Sequence, residues 1–198
     1  QHDLKVHLMA PTGRAAKRLA VESHMDADTI HKALEAEKRE DGGTVFSRDE
    51  SDPLEEDLII VDEASMMDIS LFYHLLSALK EDARLILVGD VDQLPPVGPG
   101  TPLKSIIAWE KVPVTRLKHI FRQKEGSGII ENAALIREGN MCVPDEGGEF
   151  KILPVWSEEE AFDTVISLCR LLHYGESKEK MALQVLSPMY RDRCGVDN

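Results

Sequence analysis

Short runs rich in residues that favour β-strands alternate with longer stretches in which apolar residues recur every three or four positions. The runs that predict strands are residues 4–9, 58–61, 85–88, 149–153 and 183–186. The stretches that predict helices are residues 14–22, 30–38, 69–79, 128–137 and 158–173. Because residues 58–61 and 85–88 are entirely apolar, we expect both strands to be buried on both faces of a sheet. This alternation predicts an α/β fold in which helices cover a parallel sheet.

Local signals predict where several elements begin or end. Asp68 is expected to cap helix 69–79, and Ser157 with Glu160 forms a capping box. The polar, acidic segment 39–56 predicts a loop or a hairpin. The four prolines at positions 95, 96, 99 and 102 are expected to exclude regular structure.

Composition limits the class of protein. The chain has 198 residues, of which 42% are hydrophobic and 30% are charged, as in an ordinary globular protein. No stretch approaches the roughly 18 apolar residues of a membrane-spanning helix. The 36 acidic and 23 basic residues give a net charge of −13, which argues against coating nucleic acid over the whole surface. A local basic face remains compatible, since residues 111–124 contain five bases and no acid.

The three cysteines and the two ends of the chain indicate its setting. Cys142, Cys169 and Cys194 are far apart, so neither a zinc ribbon nor a disulfide framework is predicted, and a reduced, cytoplasmic setting is the simplest interpretation. The chain opens without an initiator methionine or a signal-peptide pattern, and we expect it to be a piece of a longer protein. Its character changes after Pro144, which predicts one partial domain over residues 1–145 and the opening of a second over 146–198.

Two adjacent carboxylates give the strongest chemical signal. Asp62 and Glu63 directly follow the apolar run 58–61. They are therefore expected at the carboxyl edge of the sheet, where ligands of open α/β sheets bind. One such carboxylate can hold Mg²⁺ through water, while its neighbour accepts a proton from an attacking water.

A second polar segment follows the next apolar run. Residues 85–88 lead into Gly89, Gln93 and the pair Pro95–Pro96. The Gln93 amide can both donate and accept hydrogen bonds, which suits a residue that contacts a phosphate and a water together. The prolines stiffen the loop around it.

Two further segments could bind anions. Thr12 and Gly13 form a strand-to-helix turn that exposes backbone N–H groups at a helix N-terminus. This turn is not a phosphate-binding P-loop, because G-x-x-x-x-G-K-[ST] is absent from the chain, and a nucleic-acid phosphate is the better candidate. The basic segment 116–123 contains Arg122, which could stabilise charge on a transferred γ-phosphate.

In this order, the segments resemble the first motor domain of superfamily 1 helicases of the RecD-like (RecD/TraA) group. The matching segments are residues 10–19 with motif Ia, 29–31 with a short threonine–histidine segment, 61–64 with motif II, 88–98 with motif III, 117–123 with motif IV and 186–189 with the opening of the second motor domain. The resemblance implies a RecA-like P-loop NTPase fold. It also implies an ATP- and Mg²⁺-dependent helicase that moves 5′ to 3′ on single-stranded DNA in recombination or repair, alone or as a subunit of a recombination nuclease.

The same resemblance implies roles for residues around the nucleotide. Asp62 would bind Mg²⁺ through water, and Glu63 would be the general base. Gln93 would contact the γ-phosphate and relay its presence to the DNA, and Arg122 would be an arginine finger. All four would therefore belong to one nucleotide site.

A second set of residues is implied for DNA. Pro11, Thr12 and Gly13 would line the single-stranded DNA track, with Arg14 and His31 as further contacts. Only 5% of the residues are aromatic, so phosphate contacts are expected to dominate.

The chain departs from the helicase pattern by lacking the Walker A loop, expected just before Gln1, and motifs V and VI, expected beyond Asn198. We therefore expect this chain alone to bind ATP poorly and not to hydrolyse it. Two alternatives remain open. One is a metal-dependent nuclease built on Asp62, Glu63, Asp90 and Asp92. The other is a DNA-binding or scaffold module that uses no nucleotide.

Overall fold

The computed structural model describes residues 4–40, 42–117, 127–144, 148–172 and 183–196. Its backbone contacts divide the chain into two compact units, residues 1–119 and 120–198. This division falls earlier in the chain than the domain boundary predicted at 145/146. The assignment of residues 146–198 to a second motor domain stays a prediction.

A parallel sheet forms the centre of the first unit. The strands are β1 (Val6–Ala10), β2 (Ala27–Thr29), β3 (Ala36–Lys38), β4 (Thr44–Phe46), β5 (Leu58–Val61) and β6 (Arg84–Leu87). Four of them form the sheet in the order β2-β1-β5-β6, and every pairing between them is parallel. β3 and β4 form a separate antiparallel hairpin. The predicted strands at 4–9, 58–61 and 85–88 are thus confirmed; the ends of 58–61 agree, and those of the other two are shifted by one or two residues.

Helices follow most of these strands. They are α1 (Gly13–Ser23), α2 (Ile30–Ala33), α3 (Ile69–Ser77), α4 (Pro102–Trp109), α5 (Gly128–Arg137) and α6 (Glu158–Leu171), and residues Ala64–Met66 form one 3₁₀ turn. Both predicted N-caps are present, but the capping box is only half formed, since the Glu160 side chain accepts from the Trp156 amide at 2.9 Å and not from the Ser157 amide. Asp68 Oδ1 accepts a hydrogen bond from the Leu71 amide at 2.8 Å, and Ser157 Oγ accepts one from the Glu160 amide at 3.1 Å. The parallel sheet with its helices confirms the predicted α/β class.

One predicted helix is largely replaced by the hairpin. The helix expected over 30–38 ends at Ala33, and the chain turns into β3 through Glu35, whose φ of 52° is left-handed. Leu34 is fully buried at this point, so it anchors the turn in the core. The hairpin therefore begins inside the predicted helix, earlier than the 39–56 segment suggested.

Four other predictions about elements were wrong. Residues 149–153 and 183–186 form no strand, and the described part of the second unit offers no partner strand with which either could pair. Pro102 begins α4 instead of breaking it, because the first helical position needs no backbone N–H. β6 is not buried on both faces, since it is the outer strand of the described sheet and Ile86 is 46% exposed.

The core lies between the sheet and the helices that pack on it. The largest fully buried side chains are Met9, Ile30, Leu34, Ile59, Val61, Met67 and Leu75. They come from β1, β5, α2, α3 and the segments beside them. The buried ends of β1 and β5 therefore give the polar residues that follow them a rigid base.

Asp57 joins three strands at the amino end of the sheet. Its backbone N–H donates to the Lys5 carbonyl, and its carbonyl accepts from the Arg84 amide, both at 2.9 Å. Its carboxylate accepts hydrogen bonds from the Lys5 amide at 3.0 Å and from Lys80 Nζ at 2.5 Å. The Lys80 hydrogen bond, followed by the Lys5 amide, holds the pKa of Asp57 below its usual value.

The second unit contains α5 and α6. Asn132 of α5 is 2% exposed. Its amide group donates to the Gly128 and Val143 carbonyls and accepts from the Val143 amide. These bonds hold the segment after the helix against it. Cys142, Cys169 and Cys194 are free thiols. Across the described ranges, no helix has the length and apolar character needed to cross a membrane.

Candidate functional site

The carboxyl edge of the sheet gathers the ends of β1, β5 and β6. The Asp62 amide donates to the Met9 carbonyl at 2.9 Å, and the Val88 amide donates to the Val61 carbonyl at 2.8 Å. Parallel pairing thus continues to the last residue of each strand. The predicted carboxylate and motif III segments consequently leave the sheet side by side.

Asp62 and Glu63 lie in a tight turn at this edge. Asp62 Oδ1 accepts a hydrogen bond from the Glu63 amide at 2.9 Å, and Glu63 has a left-handed φ of 53°. The Ala64 amide then donates to the Val88 carbonyl at 2.8 Å. A non-glycine residue keeps such a conformation only where its surroundings enforce it. Both side chains are half-buried, and their hard oxygen atoms are the donors that Mg²⁺ prefers.

Gly89 lets the end of β6 pack directly on this turn. A Cβ atom at position 89 would lie 2.9 Å from both the Ser65 amide nitrogen and Leu103 Cδ2. Only glycine fits such an approach without displacing the backbone of the carboxylate turn. The Ser65 hydroxyl is buried there and has no hydrogen-bond partner among the described residues, so it can serve a bound water or ligand.

The loop after Gly89 is attached to the first turn of α3. The Ile69 amide donates to the Pro99 carbonyl at 2.9 Å. A Cβ atom at Gly98 would lie 1.9 Å from Asp68 Oδ2, so the backbone of the loop rests against the capping carboxylate. We call residues 89–100 the linking loop. It begins at the carboxylate turn and ends on α3.

A groove of about 890 Å³ runs between the linking loop, the start of α1 and α3. The predicted residues Pro11, Thr12, His31 and Gln93 all line it. Thr12 also caps α1, because its hydroxyl accepts a hydrogen bond from the Ala15 amide at 3.2 Å. The structure therefore brings together residues from three motifs that are far apart in sequence.

The other predicted site residues lie elsewhere or are not described. Gly13 and Arg14 are exposed at the start of α1 and do not line the groove. Asp62 and Glu63 lie at the sheet edge and do not line it either, so the structure places Gln93 among the groove residues, whereas the sequence predicted one nucleotide site with Asp62 and Glu63. Arg122 lies outside the described residues.

Phe46 and His74 also line the groove, and sequence reasoning missed both. The Phe46 ring lies 5.8 Å from the His31 ring and 4.4 Å from the His74 ring, measured between centroids. The three rings come from α2, β4 and α3. No local motif marks Phe46 or His74. The only related signal in the sequence was the small number of aromatic residues, which does not point to either position.

The four acids of the nuclease alternative do not form a metal-binding cluster. No group of three or more His, Cys, Asp or Glu side chains suited to a metal ion occurs within the described part of the chain. Asp90 Oδ1 instead accepts a hydrogen bond from the Asp92 amide at 3.0 Å, which closes a local turn.

The model of the family described as "AAA domain" matches residues 1–145. The chain belongs to this family. The chain is 34% identical, over 98% of its length, to the ATP-dependent RecD2 DNA helicase of Deinococcus radiodurans. It is also 34% identical, over 73% of its length, to the RecBCD enzyme subunit RecD of Mycolicibacterium smegmatis. The resemblance to RecD-like superfamily 1 helicases is thereby confirmed.

The chain spans only part of these relatives, since its matches cover 25% of the RecD2 helicase and 29% of the RecD subunit. Among solved structures, the Pif1 helicase from Bacteroides in complex with ADP-AlF3 and ssDNA matches 90% of the chain. The match covers 49% of the Pif1 chain, with 18% identity and a TM-score of 0.48.

Proposed function

We propose that the full-length protein is an ATP-dependent DNA helicase and that this chain is part of its motor. The observation that carries the proposal is the linking loop. This one segment packs on the Asp62–Glu63 turn at its start and lines the groove with Pro11, Thr12 and His31 further on. Such a segment suits a protein in which nucleotide at the sheet edge and nucleic acid in the groove act on each other. The identity to RecD2 and RecD supports the same class of activity.

Four side chains have proposed roles toward ATP and Mg²⁺. Asp62 would hold the metal ion through water, and Glu63 would accept a proton from the attacking water. Gln93 would contact the γ-phosphate, and Arg122 would stabilise the charge that develops on it. ATP, when bound, supplies the phosphoanhydride bond whose hydrolysis drives movement.

The DNA contacts are proposed for the start of α1 and for α2. Pro11, Thr12 and His31 would contact single-stranded DNA in the groove. Gly13 and Arg14 are exposed beside the groove and would contact the DNA strand where it leaves the groove. We propose movement in the 5′ to 3′ direction. The protein would act alone or as a subunit of a complex, and the Mycolicibacterium relative is named as a subunit of the RecBCD enzyme.

The proposal is tested by ATP hydrolysis in the full-length protein, measured with and without single-stranded DNA. We expect DNA to stimulate hydrolysis severalfold or more. We expect this chain alone to show none, because it contains no G-x-x-x-x-G-K-[ST] segment to hold the phosphates. Two results would contradict the proposal. One is ATP hydrolysis by the full-length protein that single-stranded DNA does not stimulate, and the other is DNA-stimulated hydrolysis by this chain alone.

A further inference from the structure

The Asp68 carboxylate directs its two oxygen atoms at different parts of the chain. Oδ1 accepts the hydrogen bond from the Leu71 amide that caps α3. Oδ2 faces Gly98 of the linking loop so closely that a Cβ atom at position 98 would overlap it. Asp68 is half-buried, and Met67 beside it is fully buried. One side chain therefore joins the first turn of a helix to the far end of the loop.

Two further contacts hold the far end of the linking loop on α3. The Ile69 amide donates a hydrogen bond to the Pro99 carbonyl at 2.9 Å. A Cβ atom at Gly100, whose φ is 86°, would lie 3.0 Å from Ile69 Cβ. Together with the contact between Asp68 and Gly98, these contacts fix the last three residues of the loop on the first turn of the helix.

The near end of the linking loop rests on the same stretch of chain. Gly89 packs on the Ser65 amide nitrogen, which lies one turn before Asp68. The Met67 amide donates to the Ala64 carbonyl at 3.2 Å, so the chain between the two anchor points is a closed 3₁₀ turn. Both ends of the loop are therefore fixed on one short segment, which begins at the proposed nucleotide-binding turn.

The middle of the linking loop depends on these anchors for its position. Val91 is partly buried against the hydrophobic core, but Gln93 and Leu94 are exposed. A stretch with few buried contacts opens easily unless the residues on either side of it are fixed. The place of the Gln93 side chain is therefore set largely by the anchors at Gly89 and Asp68.

We propose that Asp68 is a positioning residue for DNA-stimulated ATP hydrolysis, because its carboxylate holds the far end of the linking loop and thereby the Gln93 side chain. This inference rests on the proposed function. Asp68 lies outside the segments that resemble helicase motifs, so the resemblance assigns it no role. An oxygen atom that faces the Gly98 backbone acts through close packing, so the shape of the side chain matters here and its charge does not.

Two variants of the full-length protein separate shape from charge. Asp68→Gly removes every side-chain atom that faces Gly98, and glycine is tolerated at a helix N-cap. Asp68→Asn keeps the shape and the cap but removes the charge. ATP hydrolysis is measured over a range of ATP concentrations, with saturating single-stranded DNA and without DNA. The readouts are the KM for ATP and the ratio of the two kcat values.

We expect Asp68→Gly to lower the ratio of stimulated to unstimulated kcat on the order of tenfold, since a displacement of about 1 Å can cost up to about 10²-fold in rate. Its KM for ATP should stay within about twofold of the wild type. Asp68→Asn should keep the wild-type ratio. Ser157→Gly removes the cap of α6 in the same way and serves as the control, with wild-type values expected.

A variant on the loop side tests the same contact independently. Gly98→Ala pushes the loop away from Asp68, and it should also lower the ratio. In Gly98→Ala/Asp68→Gly the added methyl group meets an empty space. The double variant should therefore lose less than the product of the two single effects. A denaturation curve for each variant shows that it is folded at the assay temperature.

The outcomes separate this inference from the proposed function. Equal losses in Asp68→Gly and Asp68→Asn would overturn the positioning role, because the charge would then be responsible. A rise in KM with unchanged kcat would overturn it as well, since Asp68 would then be a nucleotide-binding residue. Unchanged ratios in Asp68→Gly and Gly98→Ala would overturn it while stimulation of the wild type still supported the helicase. If DNA did not stimulate the wild type, the helicase proposal would fail too.

Discussion

At the scale of single residues, the proposed chemistry depends most on Glu63. Its side chain extends from a turn whose left-handed backbone and hydrogen bond to Asp62 restrict where the carboxylate can lie. Glu63→Gln keeps the size and the hydrogen-bonding shape but removes the base. We expect ATP still to bind the full-length protein while turnover falls by about 10²–10⁴-fold, the usual contribution of a positioned base.

The measurement pairs a turnover assay with a nucleotide-binding titration. Glu50→Gln makes the same chemical change at an exposed position and serves as the control. Near-normal turnover in Glu63→Gln would remove Glu63 from the role of base. A loss of binding equal to the loss of turnover would make it a binding residue instead.

Single residues differed in how far the sequence could predict them. Asp62 and Glu63 could be found because an apolar run leads directly into them, and a buried parallel strand delivers its next residues to the carboxyl edge of the sheet. Phe46 and His74 could not, because their rings meet only after β4 and α3 have folded against each other. A cluster assembled from separate segments leaves no local pattern.

At the scale of elements, the linking loop and α3 are held together by a contact that excludes a side chain. Gly98→Ala would place a Cβ atom 1.9 Å from Asp68 Oδ2, so either the loop or the helix cap must move. We expect a loss of about 1–3 kcal/mol in the free energy of unfolding, as is typical when a close-packed site is overfilled. Chemical denaturation measures this loss.

A compensating change identifies the cause of that loss. Asp68→Gly removes the Cβ, Cγ and Oδ2 atoms that an added Cβ at position 98 would meet, and glycine is tolerated at a helix N-cap. The double variant Gly98→Ala/Asp68→Gly should lose less stability than the two single losses added together. Strict additivity would show that the clash lies with something other than Asp68.

Elements were predicted well where their pattern was local and poorly where it depended on partners. The prediction of a helix after Asp68 was correct, because the cap residue and the spacing of the apolar residues both indicate a helix that begins there. The helix expected over 30–38 gave way to a hairpin, since burial of Leu34 and the pairing of β3 with β4 outweighed helical periodicity. The segments 149–153 and 183–186 are rich in residues that favour strands, but no described strand of their unit pairs with them.

At the scale of the whole first unit, Asp57 makes stability depend on pH. Its pKa is lowered in the folded state, chiefly by the hydrogen bond from Lys80. A carboxylate of this kind stabilises the fold at pH values above its unfolded pKa of about 3.9, and this stabilisation is lost as the pH falls through the folded value. We expect the urea midpoint of the wild type to fall between pH 7 and about pH 3 by more than that of Asp57→Asn.

Glu81→Gln is the matched control for this pH effect. Glu81 is exposed, close in sequence to Lys80, and its loss should leave the pH dependence of the wild type unchanged. If Asp57→Asn and the wild type lost stability in parallel on acidification, the pH dependence would have to come from other carboxylates.

The linking loop has a thermodynamic consequence. The loop packs against Ser65 at one end and against Asp68 at the other. A ligand that moves either end is therefore expected to displace the rest of the loop as well. Cooperativity between two binding events must be mutual. If bound ATP changes the affinity for a DNA strand by some factor, the bound strand must change the affinity for ATP by the same factor. Measuring either affinity change therefore gives the other.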